Sequence, residues 1–356
     1  MDSQGQPATP HQSGSAHHGQ TGHRSRVVAA AAVVGAAAVA GLVAWNGADQ
    51  ILTLLESGGW ALLAVPLFHF LPIVATTLAW RSLVRSQGWR VPLWRLVWYR
   101  WLADSVNALL PVAQVGGEVV RGRLIMGCGV PGASATAAII VDLTLGLVSL
   151  VVFIVGGLFL GVGGIGNGTD SFPGVVAGTG LFSLMVVGFY GFQRSALLPR
   201  LARFMEAQGG GNAWAQRAGE AATLDIELTR LYARPWVLAR ALGWRLLAWV
   251  VGALEMGLAV LLLGQAIGLR QALIFEAVGQ AFRNVGFAIP GALGIQEGGL
   301  IVAGGLVGLP PDVALTVALV KRMRDLVLGA PALVIGLQGL AWGPGSVRWR
   351  KPPAGP

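Results

Sequence analysis

Apolar residues run along most of this chain in stretches of about twenty, the length an α-helix needs to cross a hydrocarbon core. The runs predict spans near 27–45, 57–79, 133–160, 174–192, 236–263 and 312–341. Two further segments, 93–128 and 271–308, are mildly apolar but interrupted near their middles by Gly, Pro and charge, which predicts broken or re-entrant helices. The expected fold class is an all-α polytopic membrane protein with about six spans and two such segments.

Composition agrees, because only 12% of the residues are charged where a soluble domain has about 25%, and mean hydropathy is +0.66. Little remains to build a soluble core, so one integral membrane domain is expected over 24–342. The stretch 1–23 is rich in Gly, Ser, Gln and His with few large apolar side chains and is expected to be a disordered cytoplasmic tail. His11, His17, His18 and His23 lie in it, where nothing would fix a metal's geometry. Residues 343–356 are expected to form a second cytoplasmic tail. The apolar run after Arg24 and Arg26 continues to Trp45 without a clear cleavage site and reads as a retained first helix. Cys128 is the only cysteine, which excludes an internal disulfide and a cysteine-rich metal site.

The net charge is +9, and of the basic residues only Lys321 and Lys351 are lysines. Orientation follows from where the arginines fall. Residues 80–100 carry Arg81, Arg85, Arg90, Arg95 and Arg100 without an acid, and 194–234 carry Arg194, Arg200, Arg203, Arg217, Arg230 and Arg234; both stretches are expected to face the cytoplasm. The connections 46–56 and 162–173 hold Asp49, Glu56 and Asp170 without Lys or Arg and are expected outside, leaving Arg270 as the dissenting charge. Both termini then lie inside. Acids alternate with arginines over 196–234, the pattern of an amphipathic helix on the membrane surface.

Sliding the sequence by 179 positions superposes Pro111 on Pro290, Ala113 on Ala292, Glu118 on Glu297, Gly129 on Gly308 and Pro131 on Pro310. The three spans between the copies place them on opposite sides of the membrane, so 93–131 and 271–310 are expected to be an inverted repeat. Transporters use this plan, because broken helices at the midplane free backbone groups to meet a substrate, and such backbone must line a cavity rather than face lipid.

Charge inside an oily chain marks the candidate site. Glu118 and Arg121 stand three residues apart in "NALLPVAQVGGEVVRGR", on one helical face, and either pair structurally or meet a substrate. Asn107 and Arg123 flank them, and Arg283, Asn284 and Glu297 are the candidates of the second copy. Asp142, Arg322 and Asp325 sit deep in spans, where mutual ion pairing and substrate binding compete. Arg240 and Arg245 lie near a cytoplasmic end and are expected to snorkel, as are Arg81, Arg85 and Arg90. His69, between Pro66 and Pro72, reads as a packed or hydrogen-bonded interior residue. "GVGGIG" at 161–166 opens no helix of a βαβ unit and reads as a turn.

At "NALLPVAQVGGEVVRGR", "AIPGALGIQEGGL" and "GLPPDVALTVALVKRMRD" the chain resembles the membrane, flippase-like domain of the lysylphosphatidylglycerol synthases over roughly 27–340. Asp is often expected where Glu118 stands, a change that keeps the charge. In the synthases a catalytic domain follows; here "GPGSVRWRKPPAGP" follows. The resemblance implies lipid movement without aminoacyl transfer, so an enzyme is not the expectation. "FHFLPIVATTLAW" also resembles a stand-alone branch associated with hopanoid biosynthesis. Translocation of a polar lipid or lipid-linked head group across a bacterial cytoplasmic membrane is the leading expectation, linked to hopanoid or phospholipid metabolism. Its rivals are a polytopic glycosyltransferase using a lipid-phosphate donor, with Asp49, Glu56 or Asp170 as the acid-base carboxylate, and a scaffold docking lipid-synthesis enzymes through 194–234. The expected partners are membrane lipids and lipid-biosynthesis enzymes, with no nucleic acid and no cofactor.

Overall fold

A computed structural model of the chain describes residues 59–110, 116–162, 180, 212–285 and 295–341. They are helical throughout, with no strand among them. The first of the described spans begins with a 3-10 turn, Gly59–Leu63, and a short helix α1, Ala64–Phe68; it breaks at His69 and continues as α2, Phe70–Ser86. Pro66 and Pro72 each fall in a first helical turn, where the missing N–H is not needed. There follow α3, Leu93–Leu109; α4, Gly116–Met126; α5, Gly132–Val162; α6, Asn212–Tyr232; α7, Pro235–Leu262; α8, Leu269–Val285; α9, Ile295–Val307; and α10, Pro311–Ala341.

Among the described residues, Gly59–Ser86, Gly132–Gly161 and Pro235–Leu262 are long and apolar enough to cross a membrane. The expected span at 312–341 is a continuous helix of 31 residues that carries Lys321, Arg322, Arg324 and Asp325 near its middle. The spans read at 27–45 and 174–192 lie outside the described residues, apart from Gly180, and so do the N-terminal tail and the turn at 163–166. Helices α3 and α4, 17 and 11 residues long, reach only about 26 and 17 Å at 1.5 Å per residue. Neither crosses alone, and together they form a hairpin.

The helix boundaries reveal how far the internal repeat extends. Gly59–Ser86 recurs 176 positions later as Pro235–Leu262, and α3 recurs at the same offset as α8. From α4 onward the offset is 179: Gly116 corresponds to Ile295, and Gly132–Val162 to Pro311–Ala341. The change of three residues falls between the paired helices, at 110–115 in the first copy and 286–294 in the second. The turns match too. Gly129 and Gly308, 179 apart, close α4 and α9 with φ of 88° and 82°, a conformation that costs a residue with a Cβ.

Packing follows the repeat. The equivalent spans α2 and α7 pack on each other, α3 packs on α10, and its counterpart α8 packs on α5. Gly336 lies so close to Leu102 that an added Cβ would sit 2.4 Å from its side chain, and Gly157, 179 positions earlier, meets Ala277 in the same way at 2.3 Å. Small residues let membrane helices approach closely enough for packing to hold them.

The two hairpins open at opposite ends of the bundle. At one end Gln87 donates to Glu227 at 3.4 Å, and Ser86, Pro131, Ser134, Glu227 and Arg234 line one cavity of about 530 Å³. Hairpin α3–α4 opens here, with Tyr99 Oη 3.2 Å from Cys128 Sγ. At the other end Arg270 Nε donates to the Leu160 carbonyl at 3.1 Å, and Gln271 Nε2 to the Val307 carbonyl at 2.9 Å. Hairpin α8–α9 opens there. Helix α5 runs from the first end to the second, so the halves are inverted relative to each other.

Candidate functional site

Local sequence places the first group of charges. Asn107 near the end of α3 accepts the Gly117 N–H through Oδ1 at 2.8 Å, tying the two arms of the hairpin together. The approach depends on glycine, since a Cβ on residue 117 would lie 2.1 Å from the Ala103 carbonyl oxygen. This sets Glu118 and Arg121 on the buried face of α4, where they pair, as their spacing on one helical face predicts. Arg123, two residues on, is exposed on the opposite face.

The pair is part of a larger cluster centred on Asp142 of α5, which is fully buried. Asp142 Oδ2 accepts from Arg121 Nη1 at 2.7 Å and from Arg100 Nη1 of α3 at 3.0 Å, while Arg245 of α7 approaches it with Nη2 at 2.6 Å and donates through Nε to Oδ1 at 3.2 Å. Arg121 is itself fully buried, with its guanidinium 4.5 Å from the centre of the Trp80 ring, within reach of a cation–π attraction. Arg100 also donates to Asp104, one turn on, at 3.1 Å. The buried members are Arg100, Arg121, Arg245, Asp142 and Glu118, and Asp104 at the exposed edge supplies the third carboxylate for the three guanidiniums. Arg121 Nε is buried without a hydrogen-bond partner among the described residues.

Two of these arginines depart from the sequence expectation. Arg100, read as the last charge of a cytoplasmic loop, lies inside α3 and is buried. Arg245, expected to snorkel, is drawn inward by Asp142, because α7 packs on α5 at the turn where Gly146 makes room: a Cβ there would stand 2.7 Å from Arg245 Nη1. Arg240, one turn nearer the helix start, is exposed.

The second half holds its own charges. Lys321 of α10 donates to Glu276 of α8 at 2.8 Å, and Gln280 donates to the same carboxylate at 2.7 Å. Arg322 pairs with Glu297 of α9. Glu255 of α7, nearly fully buried, meets Arg324 Nη1 through Oε1 at 2.6 Å and His69 Nδ1 through Oε2 at 2.7 Å. Arg324 holds Asp325 at 2.7 Å. Asn284 donates to the Gln280 carbonyl one turn back at 2.7 Å, and Arg283 is half-buried and acts electrostatically on Asp325.

Of the sequence candidates, then, Glu118, Arg121 and Asp142 come together, Asn107 braces their hairpin, and Arg123 stands apart. Glu297 and Arg322 form a separate pair, and Asp325 joins Arg324. Asp142 and Arg322 do not meet. The sequence reading missed Arg100, Arg245 and Glu276 as site residues; the signal for the last was a buried acid on a helix whose charge has no partner within its own turn except Gln280. The rival catalytic carboxylates Asp49, Glu56 and Asp170 lie outside the described residues.

Residues 27–332 match the family model described as the lysylphosphatidylglycerol synthase TM region. The chain belongs to this family. Comparison with curated proteins and with solved structures gives no match. The family match covers both hairpins and α10 as far as Ala332, so both charged clusters fall within the matched region. Membership gives the chain a membrane role connected with lipid.

Proposed function

We propose that this protein moves the polar head group of an anionic lipid across a bacterial cytoplasmic membrane, with both termini inside. The observation that carries this reading is the convergence of three guanidiniums on the one fully buried carboxylate of Asp142. Arginine grips a phosphate with two parallel charge-assisted hydrogen bonds, and guanidiniums that share a single carboxylate keep donors to offer an anion from outside. The cluster also joins the two repeats, since Arg100, Arg121 and Asp142 come from the first and Arg245 from the second. An anion bound there competes with Asp142 for Arg245 and so acts on the contact between halves. Rocking of one inverted repeat against the other exposes such a site alternately to each side.

The test is transfer of labelled lipids in reconstituted vesicles over a panel of phosphatidylglycerol, aminoacylated phosphatidylglycerol, zwitterionic and hopanoid-linked head groups. Transfer by the wild-type chain is expected to favour an anionic phosphate. The double variant Glu118→Gln with Arg121→Ala removes a buried charge pair together, so its folded yield should stay near wild type while transfer is lost. Normal transfer by this folded variant would remove the head-group role from Arg121.

A further inference from the structure

Glu255 is shared between two elements. Its Oε2 lies 2.7 Å from Nδ1 of His69, at the break between α1 and α2, and its Oε1 accepts from Arg324 of α10 at 2.6 Å. Because the carboxylate is also held by a guanidinium, it is ionised, and Nδ1 of His69 must be the donor. The free position for a proton is then Nε2. The His69 side chain is 26% exposed while that of Glu255 is 1% exposed, so the ring stands between a buried carboxylate and the accessible side of the helix.

The repeat adds an independent observation. The position 176 residues after His69 is Arg245, which reaches Asp142. Both halves therefore place a basic side chain at the same register of the same span, and each meets a buried acid. In the second half the charge is permanent. In the first it belongs to the side chain whose ordinary titration falls between pH 5 and 8.

We propose that His69 is a proton-binding site and that lipid movement by this chain depends on whether the proton is present; the second part rests on the function proposed above. With the ring neutral, His69, Glu255, Arg324 and Asp325 sum to one negative charge; a proton taken from water at Nε2 brings the sum to zero. The imidazolium then competes with Arg324 for Glu255, strengthening the contact of α1 and α2 with α7 at the expense of that between α7 and α10. The other charge acting on the group is Arg283 of α8, through Asp325; Lys321 and Arg322 are turned toward Glu276 and Glu297. The helix is suited to respond, because at His69 it breaks between α1 and α2 and the hydrogen bond from Ile73 N to the His69 carbonyl is stretched to 3.4 Å.

Two measurements on the full chain test this. The first follows the histidine ring signals by NMR in lipid nanodiscs, with the His69 signal identified by its loss in His69→Gln; the glutamine amide can still donate to Glu255 and keep the fold. The His69 ring should pass from neutral to protonated within the range in which histidine ordinarily takes a proton, and Glu255→Gln should alter that change, since the carboxylate at Nδ1 is then gone. A ring that stays in one state from pH 5 to 8 overturns the site. The second measures vesicle transfer across the same range. Wild type should change rate by about threefold or more, while His69→Gln is flat and His69→Arg, permanently charged, stays near the wild-type low-pH rate. A pH profile unchanged in folded His69→Gln overturns the coupling. If the wild type moves no lipid at any pH, the translocation reading fails, and the NMR titration still decides the proton site.

Discussion

Arg100 and Asp142 pair across α3 and α5 at 3.0 Å, and the residues at the equivalent positions of the second repeat, Glu276 and Lys321, pair across α8 and α10 at 2.8 Å with the signs exchanged. The offsets are 176 for the first member and 179 for the second. An interhelical ion pair has thus been kept in place while its polarity was reversed. What differs is the company: Glu276 faces one cation and an amide, whereas Asp142 faces three guanidiniums.

That difference predicts opposite outcomes for repair. Glu276→Gln or Lys321→Met alone should lower stability by about 3 to 5 kcal/mol, the cost of leaving one buried charge uncompensated, and the double variant should recover most of it. Asp142→Asn should be at least as damaging, and adding Arg245→Met should restore only part of it, because Arg100 and Arg121 each lose one of two carboxylates and keep only Asp104 and Glu118. Thermal unfolding in detergent reads both comparisons; full rescue at Asp142 by a single second change would contradict the three-arginine geometry.

The hairpin α3–α4 should fail at one glycine. Gly117→Ala drives a methyl into the Ala103 carbonyl, backbone that cannot step aside, and is expected to cost about 2 kcal/mol or more. Gly298→Ala, on α9 with nothing within 4 Å of the new Cβ, should instead stabilise by up to about 1 kcal/mol, since alanine is the better helix former. Folded yield and melting temperature of the two variants give the sign of each effect.

Arg121 carries a planar requirement. It donates to Asp142 and Glu118 while lying over the Trp80 ring, and a lysine ammonium cannot meet all three at once. Arg121→Lys should slow transfer roughly tenfold, the worth of one charge-assisted hydrogen bond, without abolishing it. Trp80→Phe should be milder than Trp80→Leu, since only the former keeps a ring face for the cation. Equal rates for the two Trp80 variants would show that the stacking is incidental.

Sidedness can be read by labelling with an impermeant thiol reagent after Cys128 is replaced. Ala233→Cys, between α6 and α7, should react only once cells are opened, and Gln265→Cys, between α7 and α8, should react in intact cells. Both positions are exposed. Reaction of Ala233→Cys from outside would reverse the proposed orientation.

Much of the repeat was legible in the sequence because proline, glycine and an acid at fixed spacing act locally. Gly129 and Gly308 close equivalent turns, and Glu118 meets Arg121 three residues on, through backbone geometry that any helix shares. The correspondence of Arg100 with Glu276 was hidden for two reasons. The stretch between the paired helices is three residues longer in the second copy, so a search at one offset misaligns α3 and α8, and the paired charges carry opposite signs, so no identity marks them.

The amino-acid order by itself determined that the chain is a helical membrane protein and, among the described residues, where its long apolar helices run, because hydrophobic length is a property of a segment regardless of its neighbours. Which charges share a site was decided only in three dimensions. Arg245 lies 103 residues from Asp142 and Glu255 lies 186 from His69; each could have reached the membrane surface alone. Packing of α7 on α5 and α2, which follows from the summed fit of many small side chains, closed off that surface and left each cation the nearest buried carboxylate as its partner.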